Sequence, residues 1–168
     1  MSSSFERADN EVLTEAATLE IVGSNAIVTV LSDCQIIVSH CDDSRAVLCR
    51  GTETIPFAVD QKSYRSRYLR PWIIPVPEIT FTTRTDEDVC LILASDGLWD
   101  VMTNNEVGEV ARRILRRKRR SAATNDEPSA AETLADSLTE IAMGRQSSDN
   151  ISVVVVEAFT KLTTFSTR

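Results

Sequence analysis

Histidine occurs once in 168 residues, at His40. A site built from clustered imidazoles is therefore excluded, whether for zinc or for relayed proton transfer. Four cysteines are present (Cys34, Cys41, Cys49 and Cys90), none in Cys-x-x-Cys spacing and each in or beside a strand-like run. That pattern fits reduced, partly buried thiols of an intracellular protein rather than a metal centre. Long apolar runs are missing too. The run over 151–159 is broken by Ser152 and Glu157, so it cannot span a bilayer. Residues 1–6 show no basic segment followed by an apolar one, and no secretory leader is expected. What is present is ordinary: 42% hydrophobic and 26% charged residues, in a length that suits one domain with its own core.

Charge is the uneven property. The net charge is −7, yet seven of the eighteen Lys and Arg fall between Arg112 and Arg120. The remainder is strongly acidic, which argues against a general nucleic-acid surface and leaves one local basic patch to explain. Arginines near a helix C-terminus are favourable in themselves, so a solvated helix face is one reading. A nuclear address is the other.

Read in order, residues 5–20 form an amphipathic helix, with Phe5, Ala8, Val12, Ala16 and Leu19 near one face. Gly23-Ser24 ends that pattern. Residues 25–32 are β-rich, Asp33-Cys34 is a turn, and 35–40 is a second strand that includes His40, a histidine without a ligand role. Asp42 to Arg45 reads as a tight polar turn before a third strand over 46–49. Short strands joined by tight turns predict antiparallel pairing. Residues 79–84 alternate as an exposed strand does, 86–88 turn, and 89–95 form a buried strand with Trp99 packed beside it. Thr103 and Glu106 fit a capping box, and Val107, Val110, Ala111, Ile114 and Leu115 follow at helical spacing. After a polar linker over 121–128, Ser129 and Glu132 make a second box. Leu134, Leu138 and Ile141 line that helix, and Gly144 suits its C-terminal cap. A β-branched strand over 151–156 closes the pattern.

Asp96 ends the apolar run, and a buried strand that carries a carboxylate to its end is a common way to place charge at a site. A lone Asp-Gly step would be weak evidence. The ten residues Leu91-Ile92-Leu93-Ala94-Ser95-Asp96-Gly97-Leu98-Trp99-Asp100, however, resemble the signature of type 2C protein phosphatases, the PPM family of metal-dependent serine/threonine phosphatases. Asp96 matches one of the family's metal ligands. Ser148-Asp149-Asn150-Ile151-Ser152-Val153 resembles its closing motif, in which Asp149 matches another. Val22-Gly23-Ser24-Asn25-Ala26 is similar to a Gly-Ser-Thr-Ala step of the family, and residues 39–50 to its Asn-Cys-Gly-Asp-Ser-Arg-Ala-Val-Leu segment. Asp60-Gln61-Lys62 resembles Asp-His-Lys, and residues 68–80 resemble Tyr-Leu-Lys-Pro followed by Pro-Glu-Val. The wording is closest to the plant abscisic-acid-signalling group. Asp42 departs from the family's glycine, at a place where glycine tolerates positive φ better. In the family a long segment holding a flap subdomain separates the last two pieces; here only residues 63–67 join them.

The resemblance implies an incomplete α+β fold, an antiparallel β-sandwich flanked by helices. Residues 1–168 would form a partial phosphatase domain, recognisable over 5–160, with an internal deletion near 62–67. It implies hydrolysis of phosphoserine and phosphothreonine in proteins, with Mg2+ or Mn2+ on Asp96 and Asp149. Hard cations of this kind take oxygen ligands. The family's Asp-Gly-His-Gly-Gly segment and its early phosphate-gripping arginine have no match in this sequence. At most one cation site and impaired turnover are therefore expected. The implied partners are a phosphoprotein substrate or a protein kinase, with no nucleic acid and no membrane, and the receptor-binding flap is expected to be absent. Trp72 is assigned to the edge that the absent flap would leave. A cytoplasmic or nuclear location is expected. Two other readings stay open: a catalytically inactive phosphatase-like binding protein, and a truncated product without independent function.

Overall fold

A computed structural model of the chain describes residues 7, 26–41, 43–57, 77–120 and 128–157. Apart from Arg7, which is helical, the expected 5–20 helix lies outside these residues, as do Asp42, the Asp60-Gln61-Lys62 piece, the 62–67 join, Trp72 and the linker over 121–127.

Among the described residues, seven strands form two antiparallel sheets. β1 (Ala26–Leu31), β2 (Gln35–Cys41) and β5 (Glu78–Thr83) make a three-stranded sheet in the order β1-β2-β5. β3 (Arg45–Arg50), β4 (Glu53–Pro56), β6 (Asp88–Ala94) and β7 (Val153–Glu157) make a four-stranded sheet in the order β4-β3-β6-β7. Three helices complete the described fold: α1 (Asp96–Trp99), α2 (Asn104–Arg120) and α3 (Ala130–Gly144).

Side chains alternate across a strand, so a strand buried on both faces must be apolar throughout. β6 is such a strand. Its Cys90, Ile92 and Ala94 face the helices, and its Leu91 and Leu93 face the other sheet. β3 divides in the same way, with Cys49 on the helix side and Ala46 and Leu48 on the sheet side, where Ile36 and Val38 of β2 meet them. The helices bury one stripe each. α2 contributes Val107, Ala111 and Leu115, and α3 contributes Leu134, Leu138 and Ala142, both at four-residue spacing. α2 lies close on β4 at Gly108, where a Cβ would collide with the Thr54 hydroxyl. Arg112 then reaches over that contact, donating to the Glu53 carbonyl at 3.3 Å and the Thr54 hydroxyl at 3.1 Å.

The two sheets are also tied by charge. Arg50 Nε donates to Asp88 Oδ1 at 2.6 Å, and Arg50 Nη2 donates to the Thr83 carbonyl of the other sheet at 2.8 Å. Asp88 also accepts from the backbone N–H and the hydroxyl of Thr85. Behind this pair, Cys49 and Cys90 stand opposite each other on β3 and β6, both buried and both free thiols. A hydrogen bond between them lowers the Cys49 pKa and, together with burial, raises that of Cys90.

Several sequence expectations are corrected. β2 and β3 follow one another through a tight polar turn, yet they do not pair; the chain crosses there from one sheet to the other. β4 was not anticipated, because it is only four residues long and ends on a proline. Asp88 was read as part of a turn, but it opens β6 and is buried by its arginine. Gly144 is the last residue of α3 rather than its left-handed cap, and the positive φ of 61° falls on Gln146.

Candidate metal centre

The helix-facing sheet delivers both candidate ligands to one end of the molecule. β6 ends at Ala94, and Asp96 opens α1 immediately after it. β7, which pairs with β6 from Val153 onward, is entered from Asp149 and Asn150. Because β6 and β7 are antiparallel neighbours, the exit of one and the entry of the other must meet.

Ser95 makes that meeting a specific one. Its backbone N–H donates to the Ser152 carbonyl at 3.1 Å. Its hydroxyl donates to the Asn150 carbonyl at 2.9 Å and accepts from the Ser152 N–H at 3.0 Å. Ser95 is the residue before α1, a position where a hydroxyl commonly caps the helix. Here the side chain makes no such cap, because it is engaged across the strands. A second clasp comes from Ser147, whose hydroxyl donates to the Gly97 carbonyl at 2.7 Å. Gly97 itself allows the 149–150 backbone to lie directly on it.

The two carboxylates sit on either side of this clasp. Asp96 is half-buried and Asp149 is exposed. Each uses one oxygen locally: Asp96 Oδ1 accepts from the Gly97 N–H at 3.0 Å, and Asp149 Oδ1 accepts from the Asn150 N–H at 2.7 Å. The second oxygen of each accepts no hydrogen bond from a described residue. Two carboxylates without imidazole or thiolate suit a hard divalent cation with water in its other positions. Among the described residues no group of three or more His, Cys, Asp and Glu could hold a metal ion. Among the described residues, these two carboxylates are the candidate oxygen donors to a cation here. His40 stands on β2 of the other sheet, buried, with Nε2 3.6 Å from Glu78 Oε2.

The ground behind the site is braced. Trp99 donates from Nε1 to the Ala94 carbonyl at 2.9 Å, and the Arg45 guanidinium lies 5.4 Å from its ring centre. Trp99 is thus half-buried and bonded rather than sealed in the core. Arg45 Nη1 donates to Asn104 Oδ1 at 2.8 Å, where α2 begins. In the same first turn, Glu106 accepts from the Thr103 N–H and hydroxyl, the capping box read in the sequence. Arg145 donates to Glu106 Oε1 at 2.7 Å and to the Val101 carbonyl at 2.6 Å. The arginine first, and then the Thr103 donors, hold the Glu106 carboxyl down to about 2.

Asp96 and Asp149 were both singled out in the sequence, and the fold brings them to adjoining loops. Ser95 and Ser147 were not. Their signal is weak, since serine beside a turn is common and nothing local tells which backbone its hydroxyl will meet.

The two-sheet antiparallel arrangement with helices against one sheet is shared with serine/threonine phosphatases of known structure. Stp1 from Staphylococcus aureus superposes with a TM-score of 0.66 at 15% identity, covering 94% of this chain and 66% of that one. The catalytic domain of PstP, described in complex with two manganese ions, superposes at 0.63 with 23% identity over 91% of this chain and 66% of that one. At these identities the likeness is one of fold. Sequence comparison goes further. The profile of the Protein phosphatase 2C family matches residues 1–70 and 60–151. Probable protein phosphatase 2C 6 of Oryza sativa subsp. japonica is 40% identical over an alignment of 200 positions, gaps included, and Protein phosphatase 2C 37 of Arabidopsis thaliana is 43% identical over one of 174. The chain belongs to the protein phosphatase 2C family. It spans 43% of the length of each of these two relatives, which align with 91% and 82% of it.

Proposed function

We propose that the Asp96–Asp149 end of the sandwich is a Mg2+ or Mn2+ site, and that the protein hydrolyses phosphoserine and phosphothreonine in protein substrates. The observation that carries this reading is the Ser95 clasp, which holds the loops of both carboxylates together through three hydrogen bonds. When bound, a divalent cation supplies charge neutralisation for phosphoryl oxygens and acidifies water. The chain's own residues have simpler tasks. Asp96 and Asp149 provide the anionic oxygens, while Ser95, Ser147 and Gly97 fix the separation of their loops. Phosphoryl transfer depends mainly on positioning and charge stabilisation, so turnover on two carboxylates alone is slow.

The test is manganese-dependent phosphate release from a phosphothreonine peptide, measured with the full chain and with Asp96→Ala, alongside Mn2+ binding by calorimetry. The expected result is one bound cation and a metal-dependent rate, both lost in Asp96→Ala while the circular dichroism spectrum is kept. A chain that binds no Mn2+, or one whose rate is unchanged by Asp96→Ala, would overturn the reading.

A further inference from the structure

The basic run of α2 takes a definite shape in the fold. Glu109, Arg112, Arg113, Arg116, Arg117 and Arg120 line an open groove of about 670 Å³ along one side of the helix. Arg112 is committed to β4 through Glu53 and Thr54. Arg113, Arg116, Arg117 and Arg120 make no hydrogen bond or ion pair with another described residue. Four guanidinium groups are thus gathered on a chain whose net charge is −7. Such a concentration repels itself, and a polyanionic ligand would relieve that repulsion.

Spacing narrows the ligand. Residues 112 to 120 rise about 12 Å along the helix, with the lining arginines in successive turns about 5.4 Å apart. An extended peptide places alternate side chains on one face about 6.7 Å apart, close to one helical turn. Four or five extended residues with acidic groups at alternate positions would therefore meet successive arginines, and each planar guanidinium can take a carboxylate or phosphate through paired hydrogen bonds. A nucleic acid fits less well. Glu109 stands in the wall of the groove, and the acidic remainder of the chain repels a polyanion that extends past it.

We propose that this groove is a docking site for an acidic segment of a partner protein, bound extended with carboxylates or phosphates at alternate positions. It is lined by α2 alone, includes neither Asp96 nor Asp149, and its binding does not require the metal site.

Fluorescence anisotropy of the full chain tests this with a fluorescein-labelled Ser-Glu-Ser-Glu-Ser-Glu peptide and its phosphoserine form. Both peptides are expected to bind, with affinity falling as salt rises, and a version with Gln for Glu is expected not to bind. The triple variant Arg113→Gln/Arg116→Gln/Arg117→Gln should bind about tenfold or more weakly. If that variant fails to fold by circular dichroism, Arg116→Gln alone decides, with an expected loss of about threefold. Undiminished binding by the folded variant overturns the proposal. So does tighter binding of a single-stranded oligonucleotide of equal charge, which would make the groove a nucleic-acid site.

Discussion

A Cβ placed on Gly97 would stand 2.5 Å from the carbonyl oxygen of Asn150 and 3.2 Å from that of Asp149. Both obstacles are backbone, so neither can rotate away as a flexible side chain would. Gly97→Ala must therefore push the 149–150 loop off α1. Overpacking of this kind destabilises by about 1–3 kcal/mol. The loop that moves is the one bearing Asp149, so the substitution should weaken Mn2+ binding as well as stability. Urea unfolding and a Mn2+ titration of the same variant check the two effects. A fully stable variant with normal metal affinity would mean that the contact at Gly97 does not set the separation of the carboxylates.

Ser95 separates positioning from ligation. Ser95→Ala removes a hydroxyl that both donates to Asn150 and accepts from Ser152, and adds nothing that could bind a cation. The partners lie near solvent, so the expected stability change is modest, about 1 kcal/mol. Its effect on Mn2+ affinity should be partial, whereas Asp96→Asn and Asp149→Asn each remove a charge of the proposed site and should abolish binding. Calorimetric titration of the three variants would show that ranking. Equal loss in all three would place Ser95 among the ligands instead.

How much of this was legible beforehand varies from one residue to the next. Asp96 and Asp149 were marked by their motifs, and β6 by a continuous apolar run that only a strand buried on two faces needs. Both helix starts were visible because their signals are local: Thr103 and Glu106 exchange the two bonds of a capping box, and the Ser129 hydroxyl accepts from the Glu132 N–H at 3.0 Å, the first half of the second box. What stayed hidden was non-local. Residues 43–44 have the polar composition of a hairpin turn, and nothing in such a turn says whether the chain doubles back within a sheet or crosses to another. Asp88 looked like a turn residue for a related reason. Its burial depends on Arg50, thirty-eight positions away.

That pair gives a stability prediction independent of the metal. The Asp88 side chain is 1% exposed and that of Arg50 is 19% exposed. Asp88→Ala leaves a largely buried guanidinium without its carboxylate and strands the Thr85 N–H, which Asp88 also accepts. Breaking one partner of such a pair costs about 3 kcal/mol. The midpoint of urea unfolding should fall accordingly with the slope unchanged. A midpoint within error of the parent would show that water replaces Asp88 at no loss.

Glu106 supplies a pH signature. Its carboxyl is held well below its ordinary value of 4.5, at about 2, by Arg145 and then by the Thr103 donors. A depressed carboxyl stabilises the fold when it is ionised in both folded and unfolded chains, and that contribution is complete above the unfolded value. As pH falls, the unfolded chain takes up the proton first, and the contribution drains away until the folded carboxyl also protonates. Between pH 4.5 and about 2 the parent should therefore lose stability relative to Glu106→Gln, whose side chain does not titrate. Above that window the difference between the two proteins should stay constant. Urea unfolding at half-unit steps from pH 6 to pH 2 reads this directly. A difference that does not narrow on acidification would mean that Arg145 leaves Glu106 in solution, and that the brace behind the Asp96 loop rests on the Val101 carbonyl alone.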